Sequence, residues 1–275
     1  MAAGSAGQLS GWMPVLQGGA GRKSMLERVV SLAALALIIV FSFVIDGFAT
    51  IGNFRVILSN SASLAVLACG MAVVIISRGL DLSLIAQMVA GATIFGILIS
   101  AGVAAPVALL VAIVVMIVIG FLNAWLIAYV EIPAMLATLA SSMFIVGLLR
   151  FAVLRGEYLL LLPKSDPTVA FLAGDILPGL SMPVVLMVAT LAASWFLLAR
   201  SSAGRIIYAM GDNFQAARLA GLPVRTTTIV VYVFAAFTAL AAGLVAVFMR
   251  KGLSTPASAG RTLGLPVLAT ARVKG

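Results

Sequence analysis

The chain has 275 residues, of which 63% are hydrophobic and 9% are charged, with a formal net charge of +9 and a mean hydropathy of +1.24. Soluble domains carry about 25% charged residues, so this composition excludes an ordinary soluble protein. The sequence has no histidine and one cysteine, Cys69, which excludes histidine-based metal or catalytic sites and an intramolecular disulfide.

The apolar runs are the main indication of fold class. Several approach the roughly 20 residues that a helix needs to cross a bilayer, and they are too long for barrel strands. The basic residues are scattered through short loops, an arrangement that sets membrane topology and does not form a nucleic-acid patch. The sequence therefore predicts an all-α, polytopic helical membrane protein without a nucleic-acid partner.

About seven hydrophobic segments follow one another along the chain, each long enough to be a membrane or core helix. We place them at 29–47, 56–77, 82–101, 104–130, 133–153, 182–199 and 226–249. They form one predicted transmembrane domain, 29–260, between a cytoplasmic N-terminal tail, 1–28, and a C-terminal tail, 261–275. The basic residues Arg22, Lys23 and Arg28 just before the first span favour a cytoplasmic N-terminus, which places loop 200–225 inside and loop 152–181 outside.

The glycine-rich stretch Gly18–Ser24 superficially resembles a phosphate-binding loop. Arg22 separates Gly21 from Lys23, and no strand precedes the stretch, so it does not match the motif. We expect no cofactor in this chain and no ATP site of its own.

A polar segment, Ser77–Ser83, interrupts the second and third hydrophobic segments. In one interpretation it is a tight hairpin in which Asp81 caps the following helix. In the other it is a break within a discontinuous helix, where Asp81, Ser83 and Gln87 face a solute pathway, since ionisable residues at membrane depth are usually functional. The residues alone leave both interpretations open.

A second polar position, Asn123, lies in the apolar run before Pro133. Pro133 suits the first turn of the next helix. A buried amide in a membrane helix forms hydrogen bonds across helices. We therefore favour helix packing as the role of Asn123, with direct contact to a solute as the alternative.

The third polar segment, 200–225, contains four arginines and helix-start and helix-stop signals. Asn213 is a predicted N-cap, Gln215–Ala220 a predicted helix, and Gly221 with Pro223 the predicted stop. Small side chains at 216, 217 and 220 predict a face that another protein can approach closely, with Arg205, Arg218 and Arg225 offering charge pairs at its rim. A solvated loop with an incidental helical turn is the alternative.

Three stretches in order resemble the membrane subunits of ribose-type sugar importers of the ATP-binding-cassette class. Gln215–Gly221 is similar to the EAAxxxG motif of these subunits, in the setting Gly204–Asn213. Gly79–Ser83 is similar to their G-[IL]-D-L-S signature. Gly120–Leu139 resembles their G-x-x-N-G-x-x-[IV]-A-Y…I-P-x-x-x-x-T-L stretch. The resemblance runs from about residue 30 to 260.

The resemblance implies a permease of the bacterial inner membrane that carries a monosaccharide and catalyses no reaction itself. Two permease copies would line the pathway, two separate ATPase subunits would bind ATP on the cytoplasmic face, and an extracytoplasmic binding protein would deliver the sugar. The residues implied in ATPase coupling are Gly204, Arg205, Asn213, Gln215, Ala216, Ala217 and Gly221. The candidate pathway residues are Asp81, Ser83, Gln87 and Asn123.

The sequence departs from this pattern at several positions. Gln215 replaces the acidic residue of the EAA motif, Arg78 replaces a usual glycine, and Ala124 replaces the glycine after Asn123. After residue 260 the acidic, glycine-rich continuation of the family is replaced by a short basic segment, which predicts a truncated or altered C-terminus.

Two other function classes compete with this interpretation. A secondary transporter driven by an ion gradient requires intramembrane ionisable groups, for which Asp81 is the strong candidate. An inactive truncated permease, or a membrane scaffold, agrees with the altered C-terminus. An integral membrane enzyme is least favoured because the sequence shows no nucleophile–base or metal-ligand set.

Overall fold

The computed structural model describes residues 13–153, 175–177 and 180–249. The predicted outer loop 152–181 lies largely outside these ranges, and so does the C-terminal tail 261–275. The chain divides into two compact units, 1–56 and 57–275. The first unit contains the first helix and the start of the second, and the second unit contains the remaining elements.

The described elements are helical except for one short pair of strands. In chain order they are α1 (Met13–Val44), α2 (Ile51–Ile76), α3 (Leu84–Ser100), α4 (Ala105–Ala128), α5 (Ala134–Leu148), a π-helical turn (Leu149–Val153), β1 (Asp175–Leu177), β2 (Leu180–Ser181), α6 (Met182–Arg200), α7 (Ser202–Leu219) and α8 (Val224–Met249). The two strands pair antiparallel.

Six of the described helical segments are long and apolar enough to cross a membrane, and α3 is a shorter apolar helix. These seven match the seven predicted hydrophobic segments, so the prediction of an all-α, polytopic membrane protein is confirmed. Helix α1 begins at Met13, inside the predicted tail 1–28. Its apolar part starts at Glu27.

Proline marks the start of three helices. Pro106 and Pro183 lie in the first turns of α4 and α6, where a missing N–H group breaks no helical hydrogen bond. Pro133 is the N-cap of α5, one position before the first-turn site predicted for it.

Helix α8 is the centre of the second unit. Of its apolar span, 61% is buried, whereas at most 28% of any other candidate span is buried. Its buried face includes four alanines that are fully inaccessible: Ala235, Ala236, Ala239 and Ala242. Because lipid is as apolar as leucine, small side chains that permit close van der Waals contact hold such helices together.

Glycines of the neighbouring helices allow their backbones to approach α8 closely. A Cβ atom at Gly120 of α4 would lie 2.8 Å from the Cβ of Ala236 and 2.9 Å from the carbonyl oxygen of Tyr232. A Cβ atom at Gly70 of α2 would collide with the hydroxyl of Thr238, and one at Gly91 of α3 would lie 2.7 Å from Leu240. The backbone contacts at Gly120 cannot yield by a rotamer change.

We predict that Gly120→Ala lowers the stability of the protein by about 1–3 kcal/mol, because overpacking must move the α8 backbone. Gly147→Ala in α5 is the matched control, since no atom lies within 4 Å of a Cβ there and alanine is the better helix former. Thermal unfolding in detergent is the measurement. Equal midpoints for the two variants would contradict the packing described.

Candidate functional site

The connection between α2 and α3 ends the first of these helices with a Schellman motif. The N–H of Gly79 donates to the carbonyl of Val74 at 2.9 Å, and the N–H of Arg78 donates to that of Ile75 at 2.9 Å. Arg78 occupies the left-handed position, with φ of 62°. Arg78 thus stands where the family usually has glycine, and its backbone adopts a conformation that favours glycine.

The four candidate pathway residues come together in this connection and are at most 3% exposed. Asp81 accepts hydrogen bonds from the backbone N–H and the hydroxyl of Ser83. The amide of Gln87 donates to the Ser83 hydroxyl at 2.7 Å and to the Asp81 carboxylate at 3.4 Å. The amide of Asn123 donates to the same hydroxyl at 3.0 Å, so the predicted hydrogen bond across helices is confirmed.

Two further residues hold this turn, and the sequence patterns assigned a role to neither of them. The hydroxyl of Thr138 accepts from the N–H of Leu82 at 3.1 Å and donates to the carbonyl of Ala134 at 2.8 Å. The hydroxyl of Tyr232 lies 3.5 Å from the carbonyl of Leu80. Thr138 belongs to the recognised 120–139 stretch, which was the available signal, whereas Tyr232 is brought in by the packing of α8.

The resulting cluster combines features of both interpretations of Ser77–Ser83. Asp81 accepts the N–H group two residues ahead, as a capping residue does. It also lies buried among groups from α3 and α4. The side-chain oxygen of Gln87 is buried and has no hydrogen-bond partner among the described residues. Contact of these residues with a solute stays a prediction.

The polar segment 200–225 begins at a tight corner between α6 and α7. The Ser201 hydroxyl accepts from the N–H of Gly204 at 2.9 Å and donates to the carbonyl of Leu197 at 2.6 Å. A Cβ atom at Gly204 would collide with the carbonyl oxygens of Leu197 and Leu198. Gly204 therefore permits the corner, while the next residue, Arg205, is exposed.

Asn213 divides α7 into two helical parts. Its backbone is non-helical, with φ of −151° and ψ of 100°, and its side-chain oxygen accepts from the N–H of Ala216 at 3.0 Å. This is the geometry of an N-cap that bonds to the third helical residue. The predicted cap is confirmed, and the short helix that it starts, residues 214–219, is called the coupling helix below.

Gly221 ends the coupling helix with a second Schellman motif. Its φ is 75°, its N–H donates to the carbonyl of Arg218 at 3.1 Å, and the N–H of Leu222 donates to that of Ala217 at 3.1 Å. A Cβ atom at Gly221 would meet no atom within 4 Å. The predicted stop is confirmed, and glycine is favoured there by backbone conformation and not by space.

The prediction of a low-bulk face on the coupling helix is wrong for one of its residues. Ala217 is buried against Met210 and Val224, so it cannot present its methyl group to another protein. Gln215, Ala216 and Ala220 are exposed, and Leu219, to which the sequence analysis gave no role, is 88% exposed. The outward face thus includes one large apolar side chain.

Two of the rim arginines, which were predicted to offer charge pairs to another protein, are instead paired within the chain. Arg218 and Arg225 lie 3.4 Å and 3.6 Å from a carboxylate oxygen of Glu131, in the α4–α5 connection. The guanidinium of Arg225 also lies 5.3 Å from the ring centre of Tyr129. Folding joins residues 87 positions apart, which no local pattern can reveal.

Three connections meet at one end of the helices: the α2–α3 connection, the α4–α5 connection and the segment 200–225. Glu131 joins the α4–α5 connection to the coupling helix. Gly211 of α7 packs closely against the end of α2, because a Cβ atom at Gly211 would collide with the carbonyl oxygen of Ile76. At the opposite end, the hydroxyls of Ser59 and Ser181 lie 3.0 Å apart, near the start of α2 and just before α6. The arrangement agrees with consecutive helices that run in alternating directions.

A bundle of membrane-length helices with a capped, exposed short helix at one end defines a polytopic helical membrane protein. The chain belongs to the family described as "Branched-chain amino acid transport system / permease component", whose family model matches residues 53–273. The match includes most of the predicted C-terminal tail, 261–275.

Curated relatives support the resemblance to ribose-type permeases. The chain is 28% identical over 248 residues to the ribose import permease protein RbsC of Escherichia coli strain K12, covering 87% of this chain and 74% of that protein. It is 30% identical over 222 residues to the autoinducer 2 import system permease protein LsrC of Escherichia coli O157:H7. The LsrC of Shigella flexneri is 31% identical over 222 residues.

The chain spans 63% of the length of each of these two LsrC proteins. Each alignment covers 80% of this chain. No solved structure matches it. The predicted family resemblance is thus confirmed by a family model and by curated relatives.

We predict that Arg78→Gly raises stability by up to about 1 kcal/mol, because glycine adopts the left-handed conformation without the penalty of a β-carbon. Arg78→Ala removes the charge and keeps the penalty, so it serves as the control. Thermal unfolding of both variants in detergent is the measurement. A gain in Arg78→Ala equal to that in Arg78→Gly would assign the effect to charge and contradict this account.

Proposed function

We propose that the chain is a permease subunit of an importer driven by separate ATP-binding-cassette ATPases, which translocates a monosaccharide across the bacterial inner membrane. The observation that carries the proposal is the coupling helix, which is capped at Asn213, terminated at Gly221 and exposed at Leu219. An exposed leucine beside alanines on a short, rigid helix is suited to insertion into a cleft on a partner.

The proposed partners follow from this geometry and from the relatives. ATPase subunits would bind the exposed face of the coupling helix, and a second copy of the chain would complete the pathway. An extracytoplasmic sugar-binding protein would supply the solute at the opposite end. The relatives named for ribose and autoinducer 2 import favour a sugar-like, hydroxylated solute, and we propose a ribose-type pentose or hexose.

The small residues inside the second unit support alternating access. Close backbone contacts at Gly120 and Gly91 make α3, α4 and α8 one tightly packed group. Tightly packed interiors move as rigid groups rather than deform continuously. A displacement of the coupling helix would thus reorient helices without breaking their cores, and ATP hydrolysis would take place in the partner.

The first test is co-purification with the ATPase encoded beside this chain, followed by ATP-dependent uptake in proteoliposomes. Labelled ribose and labelled leucine are compared, because the family description and the curated relatives differ in the solute they name. ATPase capture with ribose uptake supports the proposal. Uptake that needs no ATPase and disappears with a protonophore would overturn it in favour of a gradient-driven carrier.

We predict that Leu219→Asp reduces ATPase capture at least tenfold and leaves membrane insertion unchanged, because the side chain is exposed in the single chain and docks in the partner's cleft in this proposal. Ser202→Trp, at an exposed position on α7 outside the coupling helix, is the control and retains capture. Ala217→Trp differs, because bulk at this buried position disrupts the chain's own packing and lowers thermal stability. Capture by Leu219→Asp at the wild-type level would contradict docking through this face.

We predict that Asp81→Asn lowers uptake roughly tenfold, since it removes a charged acceptor from a buried hydrogen-bond network. ATPase capture should be unchanged because Asp81 is buried away from the exposed face of the coupling helix. Pull-down and uptake on the same preparation measure both quantities. Loss of capture would place Asp81 in the docking machinery instead.

A further inference from the structure

The α4–α5 connection contains one residue in a left-handed backbone conformation. Glu131 adopts φ of 59°, a left-handed conformation that residues with a β-carbon rarely adopt. Such conformations persist where surrounding contacts hold them, and they concentrate at functional positions. The left-handed conformation of Glu131 is therefore typical of a residue held by its contacts at a functional position.

The Glu131 carboxylate joins both sides of the turn that follows the coupling helix. Arg218 lies within that helix and Arg225 lies in the first turn of α8, and both reach the same carboxylate oxygen. All three side chains are about half exposed. Exposed ion pairs are weak and are screened by salt, so these pairs can break and re-form during a transport cycle.

The two helices joined at Glu131 are also the helices that hold the polar turn 80–83. Asn123 of α4 donates to the Ser83 hydroxyl at 3.0 Å. Thr138 of α5 accepts from the N–H of Leu82 at 3.1 Å. Ion pairs thus join the coupling helix to Glu131, and the two helices that flank Glu131 are hydrogen-bonded to the turn 80–83.

We propose that Glu131 is a positioning residue that transmits movement of the coupling helix to the polar turn 80–83 through α4 and α5. This inference rests on the proposed function for its place in transport. The mechanical link itself belongs to the single chain and can be measured without a partner. Contact of Glu131 with the solute is not part of the proposal.

The first experiment measures hydrogen exchange of the full chain in detergent. Glu131→Gln should speed exchange about fivefold in residues 129–133 and 214–222, because each segment loses its restraint on the other. The difference from the wild type should vanish in 1 M salt, where the pairs are screened. Glu27→Gln, which replaces a carboxylate of α1 with an amide, is the control. Unchanged exchange in both segments would overturn the proposal.

A second variant separates charge from backbone conformation. Glu131→Gly removes the carboxylate and relieves the left-handed backbone, whereas Glu131→Gln removes the charge alone. Both should show the faster exchange. Wild-type exchange in Glu131→Gly would mean that the ion pairs restrain nothing, and it would also overturn the proposal.

The second experiment measures sugar transported per ATP hydrolysed in the reconstituted complex. Glu131→Gln should retain ATPase capture and hydrolysis while the ratio falls at least threefold. The pair Arg218→Gln with Arg225→Gln should give the same loss, and adding Glu131→Gln to that pair should lower the ratio no further, because coupled groups are non-additive. Loss of capture in Glu131→Gln, or an unchanged ratio, would overturn the positioning role.

The two experiments fail separately. If the wild-type chain captures no ATPase, the proposed function is wrong, and the hydrogen-exchange result still decides whether Glu131 links the two segments. If capture and uptake succeed while exchange is unchanged, the proposed function stands and the link is wrong.

Discussion

Close packing against α8 is the constraint on which the second unit depends. In a membrane, helices gain nothing from hiding apolar side chains from lipid, so they associate where backbones can come close. The four buried alanines of α8 and the glycines at positions 70, 91 and 120 provide this proximity. The positions of the polar turn and of the coupling helix follow, because each is attached to helices fixed against α8.

The buried cluster around Asp81 and Ser83 shows how polar groups are accommodated inside this packing. The Ser83 hydroxyl donates a hydrogen bond to Asp81 and accepts hydrogen bonds from the amides of Gln87 and Asn123. One side chain thus connects three others. Burial strengthens such hydrogen bonds and makes an unmade one costly. The side-chain oxygen of Gln87, which has no hydrogen-bond partner in the described part of the chain, therefore has unused hydrogen-bonding capacity.

The coupling helix is a folded element, and its fold separates positions that the sequence makes look alike. Ala216 and Ala217 are neighbours with identical side chains, yet one is exposed and the other is buried against Met210. A helix turns by about 100° per residue, so adjacent positions face different directions. Only the packing against α8 decides which of them another protein can reach.

Local chemistry in the sequence determined the class of the protein, the seven hydrophobic helices, the Asn213 cap and the Gly221 stop, because each depends on residues within one helical turn or one apolar run. The family resemblance also came from short motifs. The tertiary structure decided what unites distant segments, namely the Glu131 ion pairs with Arg218 and Arg225, the support of Leu80 by Tyr232 and the burial of Ala217. These contacts depend on how helices pack, and in a nearly uniform apolar sequence that packing leaves no periodic signal.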